Sequence, residues 1–257
     1  MKVDIVRPRV SSFIKSLRDI GYTFEIAVAD ILDNSLTANA KNIQIYSVAS
    51  PDLVLCVLDD GDGMDDDALK EAMRLSTKDP DTERSGKDLG RFGLGLKTAS
   101  FSQCRLLTVI SKTNTSRISA KQWDIDKVIK SNEWALNSLD DKDLKSMLNE
   151  IKGMDLFDKL NNQKSGTLVI WQLIDRIEND SLAMHLKDLN EHLSLVFHRF
   201  IDGLKGCRRI NISLNNAKLA GFNPFHNSDK QEEQLFYINR KLIKVQPHIM
   251  PSFRKTR

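Results

Sequence analysis

The feature that most restricts this chain is where its glycines lie. Of 12 in 257 residues, six fall between residues 61 and 95: Gly61, Gly63, Gly86, Gly90, Gly93 and Gly95. Glycine serves where a backbone must turn left-handed or approach something closely, and it weakens helices and strands elsewhere. With only 6 prolines in the whole chain, such a cluster excludes collagen-like and linker-rich sequences and points to a device made of backbone. The hydrophobic content of 40% beside 28% charged residues belongs to a globular chain. At this length one large domain, or one domain and part of a second, is expected.

Around the cluster, helical and strand patterns mix without regular βαβ alternation, which favours an α+β sandwich over a doubly wound sheet. Phe13, Ile14 and Leu17 have helical spacing and stop near Gly21. Phe24–Leu36 is a second helix with Val28, Ile31, Leu32 and Leu36 as its apolar stripe. Ile43–Val48 alternates as a strand, and Leu53–Leu58 is a continuous apolar run suited to a buried one. Helices over Asp66–Leu75 and Leu94–Ser102 flank a polar loop, and Arg105–Ser111 and Thr167–Leu173 are strands. Residues 112–163 are charged and locally helical. Residues 185–201 form a helix, with strands at Arg209–Leu214 and Leu242–Val245.

Charge is distributed unevenly. Residues 1–110 carry net −3 and residues 111–185 net −1, while residues 186–257 hold 13 basic and 6 acidic side chains, net +7. That asymmetry suggests two modules, 1–184 and 185–257, and an anionic partner for the second, although a solvated basic face fits the charge equally well. No apolar run approaches the length of a membrane span, and the N-terminus lacks a signal peptide's apolar core. Cys56, Cys104 and Cys207 are odd in number and far apart, which reads as reduced thiols in a cytoplasmic protein.

Four segments carry residues suited to chemistry. Asp30 and Asn34 lie four apart, side by side on the helix face opposite its apolar stripe. The carboxylate can orient and deprotonate a water, while the amide oxygen ligates a hard cation such as Mg²⁺. Asp59, at the end of the buried strand, can accept from an exocyclic amine such as adenine's, with Gly61 and Gly63 turning the backbone close to a flat ring. A calcium loop fails on spacing here, since the position that requires glycine is an aspartate, while a plain acidic turn fits these residues as well. The third segment, Gly90-Arg91-Phe92-Gly93-Leu94-Gly95-Leu96-Lys97-Thr98, leaves backbone N–H groups ahead of a helix to converge on phosphates, with Lys97 adding charge. It matches neither the Walker A loop nor the dinucleotide fingerprint. Gly166-Thr167, opening a strand, says nothing by itself.

In this order and at these distances, the four segments closely resemble those of the GHKL ATPases: gyrase B-type topoisomerases, MutL, heat-shock chaperones, histidine kinases and MORC proteins. The resemblance covers about residues 10–175, and the Lys97-Thr98-Ala99-Ser100 continuation is most similar to the MORC-like and MutL-like branches. It implies a two-layer α/β sandwich of the Bergerat type over 1–184 and, over 185–257, the start of a ribosomal-protein-like transducer domain. It implies ATP and Mg²⁺ as ligands, with Asp30 as base, Asn34 as the magnesium residue and Lys97 on the phosphates. Asp59, Gly61, Gly63, Met64 and Thr167 would surround adenine. Gly90, Arg91, Phe92, Gly93, Leu94, Gly95, Lys97 and Thr98 would cradle the phosphates. Thr77 and Lys78 would belong to a lid over 76–92. ATP-dependent homodimerisation, a DNA transaction, and DNA bound through the basic C-terminal segment are further expectations, with a nucleotide-gated dimerisation clamp of negligible hydrolysis or a chaperone-type ATPase as the alternatives. The sequence departs from the family in two site residues. Asp30 stands where a Glu is usual, so hydrolysis is slow, a second water bridges the gap, or Glu25 assists. Thr37 stands where relatives often carry Asp.

Overall fold

The computed structural model describes residues 4, 9–49, 52–75, 95–151, 154–177, 181–204, 206–225, 229–230, 232–238 and 241–249. Helices α1 (Val10–Arg18) and α2 (Phe24–Thr37) come first, followed by β1 (Asn42–Val48), β2 (Val54–Asp59) and α3 (Asp66–Met73). Next are α4 (Gly95–Gln103), β3 (Cys104–Lys112), β4 (Ser119–Asp124), α5 (Ile125–Ser131), β5 (Asn137–Ser138), α6 (Asp141–Glu150) and α7 (Met154–Asn162). Strand β6 (Gly166–Ile174), α8 (Leu182–Val196), α9 (His198–Asp202), β7 (Asn211–Leu214) and β8 (Ala217–Lys218) complete the main body. Two small antiparallel pairs follow, β9 (Asp229–Lys230) with β12 (His248–Ile249) and β10 (Gln234–Ile238) with β11 (Lys241–Val245).

Eight strands form one sheet in the order β5-β4-β3-β6-β2-β1-β7-β8. Every neighbouring pair is antiparallel except β1 with β7. The unbroken apolar run of β2 is explained by what covers it. Leu55 and Val57 face one core, together with α1, α2, α4 and α8. Val54, Cys56 and Leu58 face a second core, capped by Leu144, Met147 and Leu148 of α6 and Leu156 and Leu160 of α7. A strand buried on both faces has no polar side to show. The α+β sandwich expected from the pattern is present, and α6 and α7 add a smaller layer on the far side of the sheet.

Residues 112–163 hold more structure than their charge suggests. Strand β4 was hidden because Lys121 occupies one of its buried positions. There Lys121 Nζ is held by Asp66 Oδ1 at 2.7 Å and Ser138 Oγ at 3.0 Å. Pairing makes the burial of such a charge tolerable, and no periodicity reveals it. Cys56 and Cys104 are buried and Cys207 half-buried, all free thiols, and burial raises the Cys56 thiol to about 12.

The break expected at residue 184 falls inside the folded body. Helix α8 begins before it, at Leu182, and Leu189 and Leu193 enter the same core as α2. Strand β7 extends the main sheet beside β1, and Arg208 reaches back to the carbonyl of Leu36 and to Asn39 Oδ1. Apolar side chains of the later segment share the core of the earlier one. The β10–β11 pair, by contrast, is exposed along both strands.

Candidate functional site

Helix α2 reaches two neighbouring places with one surface. Thr23 caps its N-terminus by accepting from Ile26 N–H, and Val28, Ile31, Leu32 and Leu36 anchor its inner side. This leaves Asp30, Asp33 and Asn34 along the outer side. Asn34 Nδ2 donates to the Asp30 carbonyl at 2.8 Å, which fixes the amide and leaves its oxygen without a donor among the described residues. A half-buried carboxylate three residues from another resists ionisation: burial first, then the Asp30 charge, push Asp33 up to about 6. Thr37 Oγ1 turns back to the Asp33 carbonyl at 2.9 Å.

One turn further on, Ser35 Oγ donates to Asp59 Oδ2 at 2.8 Å, joining α2 to the end of β2. Asp59 Oδ1 accepts Gly61 N–H at 2.9 Å. The strand register sets Asp59, Thr167 and Ser111 in one row across β2, β6 and β3. Ser111 Oγ lies 2.8 Å from Thr167 Oγ1 and accepts Met64 N–H at 2.9 Å. Asp59 is buried, and burial pushes its carboxyl up to about 6 against the pull of its hydrogen bonds from Gly61 and Ser35. The result is a polar floor with one carboxylate at its base, enclosed by the core.

The backbone itself requires the glycines of the turn. A Cβ on Gly63, whose φ is +68°, would lie 1.8 Å from the Lys112 carbonyl, and one on Gly61 would lie 2.6 Å from the Ala38 carbonyl. These glycines let backbone pack on backbone at the ends of β3 and α2. The neighbouring aspartates are used structurally. Asp60 accepts from Lys41 and Asn42 N–H, and Asp62 accepts from Asn39 Nδ2.

The third segment is described only from Gly95. Thr77, Lys78, Gly90, Arg91, Phe92, Gly93 and Leu94 lie outside the described residues. A Cβ on Gly95 would stand 3.8 Å from Asp30 Oδ2, so the described start of α4 abuts the carboxylate of α2. Lys97 is brought to the same helix turn, but its ammonium is buried and donates to the Ala72 carbonyl at 2.8 Å. Burial lowers its pKa to about 8. Thr98 sits one residue further along.

Glu25 is not gathered with Asp30. Its carboxylate faces α8, 3.4 Å from His185 Nδ1, in a cavity of about 550 Å³ formed with Phe24, Asp188 and His192. Five residues along a helix turn it to another side, as its angular offset requires. The group that does meet Asp30 went unread in the sequence: Tyr22, whose hydroxyl donates to Asp30 Oδ2 at 2.8 Å. It stands before the helix cap, where no periodicity links it to a residue eight places on.

Residues 22–167, more than half of the chain, match the family model described as histidine kinase-, DNA gyrase B-, and HSP90-like ATPase. The match opens at Tyr22 and closes at Thr167. A search of the curated proteins finds no match to the chain. No helix among the described residues is long and apolar enough to cross a membrane.

Proposed function

The chain belongs to the histidine kinase-, DNA gyrase B- and HSP90-like ATPases, a family of ATP-binding and ATP-hydrolysing domains, and on that footing we propose that its site lies along α2 and the end of β2. The observation that carries this is the double use of α2. The same helix presents Asp30 beside Gly95, carries Asn34 one turn on, and anchors Asp59 through Ser35. Asp59, with Met64 and Thr167 around it, would take adenine, because a buried carboxylate favours a partner that donates to it. Asp30 would orient the attacking water and accept its proton. The Asn34 amide oxygen would hold Mg²⁺, which neutralises charge on the phosphates. Lys97 would add its positive charge to the phosphate side of the site, its ammonium donating one of three N–H groups to the Ala72 carbonyl.

The short reach of Asp30 favours slow hydrolysis, with ATP binding itself closing the lid and pairing copies of the chain, a nucleotide-gated clamp at the limit of no turnover. Steady-state phosphate release separates the two readings. Turnover that disappears in Asp30→Ala and rises in Asp30→Glu supports the enzyme. Equal phosphate release from wild type and Asp30→Ala removes it. Light scattering with and without a non-hydrolysable ATP analogue and Mg²⁺ tests the pairing.

We assign the chain to the MORC-like or MutL-like side of the family from Lys97-Thr98-Ala99-Ser100, rather than to a chaperone. A DNA transaction is then the process, and the exposed β10–β11 pair, with Lys241 and Lys244, begins a transducer-like element. DNA contacts through the basic segment would weaken steeply with added salt. No duplex binding at low salt refutes them.

A further inference from the structure

We propose that Tyr22 is the positioning residue for Asp30, holding one carboxylate oxygen so that the other is presented to the attacking water. The inference rests on reading Asp30 as the group that orients that water. Tyr22 Oη donates to Asp30 Oδ2 at 2.8 Å, which leaves Oδ1 as the oxygen for a water. The terminal torsion of an aspartate is broad, so a carboxylate on an outer helix face takes many orientations unless something holds it. A group one methylene shorter than glutamate tolerates that freedom less, because misplacement by about 1 Å can cost on the order of 10²-fold in rate.

Tyr22 is itself held from two sides. Its backbone carbonyl accepts Gln103 Nε2 at 3.2 Å, and Gln103, buried at the end of α4, also donates to Ser102 Oγ at 3.0 Å. The Thr98 side chain stands beside the phenol. The tyrosine therefore links α4, at Thr98 and Gln103, to the carboxylate of α2. Burial, then the bond to Asp30, raise the phenol's pKa above its ordinary 10.0, so it stays a neutral donor throughout the physiological range.

Tyr22→Phe removes the hydroxyl and keeps the ring. Expected are a fall of about tenfold or more in kcat, an unchanged Kd for a non-hydrolysable ATP analogue by calorimetry, and an unchanged Tm. Wild-type turnover in Tyr22→Phe, when Asp30→Ala abolishes turnover, overturns this inference and leaves the reading of Asp30 intact. A Tm and Kd that deteriorate in step with kcat mark a structural tyrosine and also overturn it. Equal phosphate release from wild type and Asp30→Ala removes both. Gln103→Ala, which loosens Tyr22 while sparing the phenol, is expected to lower kcat in the same direction with a smaller effect.

Discussion

Asp59 offers the most direct check on the floor of the site. Burial lifts its carboxyl from an ordinary 3.8 to about 6 in the folded chain, while in the unfolded chain it returns to the ordinary value. The native state therefore keeps a proton that the unfolded state has already released. Its contribution to stability is fully present below about pH 4 and is lost as pH rises through 6, the reverse of a salt-bridged carboxylate. A shift of about two units at about 1.4 kcal/mol each gives roughly 3 kcal/mol. Asp33 moves in the same direction, so the wild-type curve alone mixes the two groups. Asp59→Asn separates them. Urea unfolding at intervals from pH 4 to 7.5 should show the variant gaining on wild type by roughly 3 kcal/mol across that range. A gap that stays constant within about 0.5 kcal/mol would mean that Asp59 is not desolvated as described. The same titration reaches function: if an amine donates to the ionised carboxylate, wild-type affinity for ATP strengthens as pH rises through about 6.

Other outcomes follow from single contacts. Asn34→Ala removes the amide oxygen at an exposed position, so calorimetry should show Mg²⁺-dependent ATP binding lost with the Tm unchanged; unchanged affinity would remove the metal assignment. Gly63→Ala places a methyl 1.8 Å from the Lys112 carbonyl at φ +68°, and denaturant unfolding should show a loss of roughly 3 kcal/mol or more. A loss below about 1 kcal/mol would mean that the turn moves freely. Leu160→Ala opens the core between α7 and the sheet and should cost roughly 2–5 kcal/mol without changing the Kd for ATP.

Much of this was legible in the residues. The stripe of α2, the both-sided burial of β2, and the order Asp30, Asn34, Asp59, Gly95, Thr167 follow from local pattern and spacing. What escaped depends on contacts between distant segments. Lys121 looks like a surface residue until Asp66 and Ser138 are seen beside it. Gly61 and Gly63 signal tight backbone, yet a sequence does not say whether ring or backbone lies against them. Tyr22 was overlooked because its partner is reached through space around the helix cap. Charge says little of packing here: the basic stretch beyond residue 185 also carries apolar side chains, Leu189, Leu193 and Ile212 among them, that enter the core shared with α2.

That last feature bears on how the protein can be cut. A fragment ending at residue 184 keeps every residue of the proposed site. It also removes α8 from the side of α2 and β7 from the rim of β1, leaving apolar helix surface and an unpaired strand edge open to solvent. Such an edge recruits other chains, and the fragment should aggregate. A cut placed after β8, near residue 220, preserves both covers and removes the two small strand pairs, so it defines the smallest piece expected to stay monodisperse without nucleotide.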